Sequence, residues 1–345
     1  MAAFPIAVTS TGMVTGVGLN VQSSCAAIRC AIDNFRETGF VDSAGEPIRG
    51  CEVLFDQPWR GEARLLKMAA AAILECIEAQ PDLQSTEFPL IFCAAEPERP
   101  GGVIRDHSQF LQRLAGESGM QFHRESRLIA GGHASIVSAL RYARTLMEKQ
   151  GIGRVLIASA DSMLTAPALK HYEHDYRLLT SKNSNGFIPG EAGAALLLQP
   201  SATMQRDHLA CAGLGTGTEA ANIASEEPLR ADGMCEAIRA ALQEAQCTMG
   251  DLDFRLCDLA GEQYHFKEAA LVLLRLLRQR KEEFDIWHPA DCIGEVGAAI
   301  GLILVAILKT ACEKGYTRGR NALAHLGNDD GSRGAMVLLW KGKGN

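Results

Sequence analysis

Residues 296–308, VGAAIGLILVAIL, contain only Ala, Gly, Val, Ile and Leu. Nothing in these thirteen residues marks a face for water. The run is shorter than the roughly 20 residues a membrane span requires, so it reads as a helix buried on every side within a protein. Such a helix needs structure both above and beneath it, which makes the chain a many-layered one.

The neighbourhood of this run occurs twice. In the first half a helix (134–149) leads through GIGR to the strand VLIASAD and later to GAALLLQ. In the second half a helix (295–314) leads through YTRGR to NALAHLG and GAMVLLW. Each half opens on a glycine-containing strand, IAVTSTGMVTGVG and HLACAGLGTGTEA, and carries an internal strand, PLIFCAA and DFRLCDLA. Strands alternating with helices imply α/β architecture with largely parallel sheets. Two packed copies of one unit would sandwich a central helix from each. The join falls near residues 198–207, giving halves of 1–200 and 201–345. Residues 163–186 interrupt the first repeat and read as a polar excursion over the surface, where binding loops often lie.

The chain of 345 residues is 47% hydrophobic and 22% charged, an ordinary globular balance. Its net charge of −7 argues against nucleic acid as a partner, which would need a basic face. MAAFPIAVTS lacks the basic region and apolar run of a signal peptide. The eleven cysteines are scattered singly, as reduced thiols of a cytoplasmic protein would be. Neither a membrane association nor a cofactor is expected.

Several motifs are weak. GLGTGTEA (213–220) lacks the full dinucleotide-binding spacing and reads as strand and turn. His171, His174 and Asp175 could ligate a metal but have no fourth partner, so no metal site is expected. The segment AGGHASIVSAL (130–140) places two glycines before a helix, where bare N–H groups can hold an anion or activate a nucleophile. The residues there are His133, Ala134 and Ser135, and they do not form a Gly-x-Ser-x-Gly elbow.

GFIPGEAGAALLL (186–198), taken with TGMVTGVGLNVQSSCAAIRCAI (11–32), is far more specific. Together they resemble the β-ketoacyl-acyl-carrier-protein synthases of the thiolase superfamily, and the resemblance spans essentially the whole chain. It implies a five-layered α-β-α-β-α fold of two duplicated halves that dimerises. In that family the elbow carries the cysteine that takes the acyl chain as a thioester. Here the matching place lies within 132–134, with Ala134 the expected position, and no cysteine occurs between Gly101 and Pro200. The first catalytic histidine belongs in an Ala-His-Gly-Thr loop, where this chain has Ala260-Gly261-Glu262; His265 follows as a surface residue. The second belongs in a Gly-His-x-x-Gly-Ala-Ala-Gly string, where Asp291 precedes Gly294. The gating loop Gly-Phe-Gly-Gly becomes GNDDGSRG, with Asn328, Asp329 and Asp330. Cys292, beside Asp291, reads as a structural thiol rather than a relocated nucleophile.

The resemblance therefore implies a degenerate homologue without Cys-His-His chemistry. The expected role is a non-condensing partner or scaffold that binds an acyl-carrier protein, an acyl group or an active synthase, as a homodimer or heterodimer. The alternative is a related acyltransferase, or another enzyme of altered chemistry, using His133, Ser135, Glu262, Asp291, Asn328, Asp329 and Asp330. The four carboxylates Glu262, Asp291, Asp329 and Asp330 are expected either to share one polar cavity beside the elbow or to stand hydrated in loops splayed into solvent. Arg333, another cation or water would balance them, and a small basic or hydroxylated ligand would suit the space. The apolar strand 154–160 is expected to pair across a twofold axis.

Overall fold

A computed structural model describes residues 4–78, 80 and 88–342. The first half contains β1 (Ile6–Thr15), α1 (Val21–Arg29), β2 (Arg36–Val41), β3 (Pro47–Gly50), α2 (Gly61–Glu78), β4 (Leu90–Ala94), α3 (His107–Ser118), β5 (Arg127–Ala130), α4 (Ser135–Gln150), β6 (Val155–Ser162), α5 (Ala166–His174) and β7 (Glu191–Pro200). The second contains β8 (His208–Thr218), α6 (Asp232–Ala245), β9 (Phe254–Cys257), α7 (Gln263–Leu276), β10 (Ile286–Trp287), α8 (Ala290–Ile293), α9 (Ile300–Glu313), β11 (Asn321–Gly327) and β12 (Ser332–Lys341).

Apart from β2 and β3, which pair as a small sheet of their own, the strands form two sets in the orders β5-β4-β6-β7-β1 and β10-β9-β11-β12-β8. Counted along each half, both orders are the same. The sets join where Ile6–Val8 of β1 run antiparallel to Leu209–Cys211 of β8. Each set is mixed rather than largely parallel: β4–β5, β4–β6, β9–β10 and β9–β11 are parallel, while β6–β7, β1–β7, β11–β12 and β8–β12 are antiparallel. The last strand of each half, β7 or β12, runs antiparallel to both of its neighbours and so escapes the crossover rule that parallel pairing imposes.

Helices α4 and α9 lie between the two sets, and their side chains join the inner faces of both in one core. From Ile300 to Ala311, α9 is buried without a break, as its apolar sequence to Leu308 requires; Lys309 and Thr310 are buried at its end. Gly151, at φ +68°, terminates α4 in a left-handed cap. Helices α2 and α3 cover the outer face of the first set, and α6 and α7 that of the second. The layering is α-β-α-β-α. The glycines of GLGTGTEA serve packing: a β-carbon on Gly215 would overlap the Ala237 carbonyl oxygen of α6, so the helix rides directly on β8.

Two expectations need correction. The strand 154–160 falls in β6, which is hydrogen-bonded on both sides, to β4 and β7; the sheet edges are β5 and β10. An uncharged strand is a central one because both its faces are covered. Residues 163–186 are more than a polar surface excursion. Met163, Ala168, Leu169, Tyr172 and Leu178 pack with Ile48 and Phe187 in a small core of their own, which fixes the segment over the site.

Candidate functional site

The turn between β5 and α4 passes through Gly131-Gly132-His133-Ala134. Gly132 has φ +56°, a region that penalises any residue with a β-carbon. A β-carbon there would also collide with the Glu96 carboxylate. Ser135 closes the turn, its hydroxyl donating to the Gly132 carbonyl at 2.5 Å. Asn328 occupies the groups at the helix start: its side-chain oxygen accepts from the Ala134 N–H at 3.2 Å, and its amide donates to the Gly131 carbonyl at 2.8 Å. The Ala134 β-carbon lies against Gly334 of β12. The donor that a helix N-terminus could offer an anion is thus taken by the protein itself.

His133 projects between two carboxylates of the other half. Its Nδ1 is 2.8 Å from Asp258 and its Nε2 2.9 Å from Glu295. Asp258 directly follows β9 and also accepts from the Gly327 N–H at 2.8 Å; Glu295 accepts from the Gly297 N–H at 2.7 Å. A ring with carboxylates on both nitrogens can satisfy both only as an imidazolium. Burial alone would lower its pKa, but Glu295 and Asp258 outweigh burial and raise it well above the usual histidine value. Burial would raise the Asp258 carboxyl, and the His133 ring outweighs that and holds it below the usual range.

Two arginines complete the network. Arg177, from the segment after α5, donates to Glu262 at 2.7 and 2.8 Å and to Asp329 at 2.6 and 3.0 Å. Arg99 donates to Asp161 at 2.5 and 2.7 Å, and Asp161 also accepts from the Ala298 N–H at 2.8 Å. What remains among these side chains is a chamber of about 30 Å³, bordered by Glu96, His133, Asp258, Glu262, His265 and Glu295. That is room for about one water. His265 is largely buried there, and burial lowers its pKa; it is not the surface histidine expected.

His133, Ala260, Glu262, Asn328 and Asp329 therefore meet at one place. Asp291 does not: its side chain is 71% exposed and pairs with His288 at 3.2 Å, because α8 turns it outward before Gly294, at φ +72°, redirects the chain. Asp330 is exposed and accepts from the Ser332 N–H. Arg333 is fully buried, but on Glu268 at 2.9 Å, so Arg177 is the counter-charge. Cys292 is buried and its thiol is pushed up to about 11 by that burial and by Asp291. His171 and His174 share Asp175 on the exposed end of α5, and among the described residues no group of three potential ligands could hold a metal. No helix among them is long and apolar enough to cross a membrane.

Asp258, Glu295, Glu96, Arg99, Asp161 and Arg177 were not anticipated. Glu295 was accessible in the sequence, since it directly follows Gly294 in GEVGAAIG. Asp258 ends the segment DFRLCD, one residue past the strand.

No protein-family model matches the chain, and no curated protein matches it. Solved structures do. A chain of the ketosynthase ApeO in complex with its chain length factor ApeC from Xenorhabdus doucetiae is 14% identical, with TM-score 0.77, over 97% of this chain and 98% of that one. A chain of AntDE:AntF, a type II polyketide synthase acyl-carrier protein in complex with its ketosynthase bound to the hexaketide, is 15% identical with TM-score 0.80, over 98% and 99%. The ishigamide ketosynthase/chain length factor gives 15% and 0.80, over 99% and 100%. The fold is that of the thiolase-like ketosynthases. Within it, this chain places a glycine, a buried imidazolium and two carboxylates at the elbow.

Proposed function

We propose that this chain is a non-condensing member of the ketosynthase fold, acting beside a cysteine-bearing synthase as a partner subunit. The observation that carries the reading is the elbow. We place the vacant nucleophile position at Gly132, the residue of left-handed conformation between β5 and α4, rather than at the Ala134 expected from the sequence, and the space beside it is taken by Glu96. Acyl transfer needs a nucleophile there and donors for the developing oxyanion. The Cys93 thiol, which meets Ser135 behind the turn, is buried and pushed up to about 12 by that burial, and the carboxylates of Asp258 and Glu295 would repel a developing negative charge.

The filled chamber supports the same reading. About 30 Å³ admits no acyl chain, and the ion pairs around it link one half of the fold to the other. Asp258, Glu262, Glu295 and Asp329 are all engaged in ion pairs, so an altered chemistry in this chamber would fall to Glu96 and His265 alone. The complexes of a ketosynthase with a chain length factor favour a synthase, in a cytoplasmic assembly, as the partner. Mixing the chain with a cysteine-bearing ketosynthase, its acyl-carrier protein and malonyl donor tests this. Product formation should require the ketosynthase's cysteine, and a stable complex should form in light scattering. Condensation by this chain without the ketosynthase would overturn the reading.

A further inference from the structure

Every buried carboxylate around the elbow has a cation except one. Asp161 has Arg99, Glu191 has Arg64, Glu262 and Asp329 have Arg177, and Asp258 and Glu295 have His133. Glu96 has no ion-pair partner among the described residues, and its Oε2 is buried without a hydrogen bond. Burial raises its pKa, and the nearby charges of His133 and Arg99, neither of them paired with it directly, offset that only in part.

Glu96 also stands at a boundary. With Arg99 it borders both the small chamber and a groove of about 970 Å³. The groove is walled by apolar side chains, among them Leu54, Phe55, Trp59, Val103 and Ile104. Its size falls within the range of small-molecule sites, where a few polar groups orient a ligand against an apolar wall. At its floor Arg64 pairs with Glu191 and Arg99 with Asp161, while Glu52, Glu98, Arg60 and Arg105 stand exposed around it. Glu96, at the inner end, is the largely buried carboxylate without an ion pair among the described residues.

We infer that the groove is a binding site for a primary organic amine, whose ammonium group pairs with Glu96 while its apolar body lies along Phe55, Trp59, Val103 and Ile104. An ammonium supplies a directly paired charge and donors at once. A carboxylate ligand would meet Glu96 with like charge, and an amide would leave it uncompensated. The inference does not rest on the partner-subunit reading, which acyl loading and condensation test separately.

Isothermal titration with three probes of one body and different heads tests it: 4-phenylbutylamine, 4-phenylbutyramide and 4-phenylbutyrate. The amine should bind saturably and at least tenfold more tightly than either of the others. Glu96→Gln, which keeps the shape and removes the charge, should abolish that preference with the fold intact by circular dichroism. Trp59→Ala should weaken the amine severalfold with the preference retained. Equal binding of the three probes to the native chain, no saturable amine binding at millimolar concentration, or a preference that survives Glu96→Gln would overturn it.

Discussion

Gly132 and Glu96 exclude each other's alternatives: a side chain on Gly132 would occupy the space of the Glu96 carboxylate. The turn keeps its left-handed φ of +56°, the conformation that presents a residue at such a corner, while the loop after β4 fills the place presented. Replacement of Gly132 by Cys should therefore destabilise the fold by about 1–2 kcal/mol from backbone strain alone. The added Glu96→Ala change should relieve the collision and not the strain. Urea unfolding checks both, and the new thiol should react with iodoacetamide faster in the double variant than in the single one.

His133 carries a pH dependence of known sign. Its pKa is raised in the folded chain, so its stabilising contribution is fully present below the unfolded value of about 6.5. The contribution is lost as pH rises from there through the folded value. Stability measured by urea unfolding should fall across that alkaline window. In His133→Gln that component of the slope should vanish. Stability at pH 6 should drop by about 3–5 kcal/mol, the range for breaking a buried pair and leaving its partner charges uncompensated. An unchanged slope in the variant would show that the ring is neutral.

Arg177 and Asp291 offer a contrast that sequence spacing alone would have ranked the other way. Arg177→Met strands Glu262 and Asp329 and should cost about 3 kcal/mol or more. Asp291→Ala removes an exposed charge paired only with His288 and should stay within about 0.5 kcal/mol. Thermal or urea denaturation of the two variants under one condition decides it.

The architecture was legible because burial imposes periodicity. The all-apolar 296–308 run, the repeated order of strands and helices, and the glycine-rich first strand of each half report packing that only a layered, duplicated fold satisfies. Strand 154–160 was misplaced at an edge because its apolar character was read as a docking face; the same character marks a strand covered on both sides. The site was half legible. His133, Glu262, Asn328 and Asp329 stand in loops that the resemblance aligned. Asp258 and Glu295 escaped because they stand a few residues from the positions the resemblance aligned, Ala260 and Asp291, and such a shift decides which carboxylate faces inward. Arg177, Arg99 and Glu96 reach the elbow from segments with no motif, through tertiary packing that spacing does not encode.

The claim that the elbow of this chain holds no acyl group is tested most directly by intact mass. The purified protein is incubated with radiolabelled acyl-CoA or with acyl-carrier protein carrying an acyl group, then with malonyl donor, and its mass and label are followed. With Gly132 at the corner and Glu96 beside it, the mass should remain that of the unmodified chain, with no label retained and no condensation product formed. A stable acyl thioester on any of the eleven cysteines that turns over on addition of malonyl donor would contradict the account.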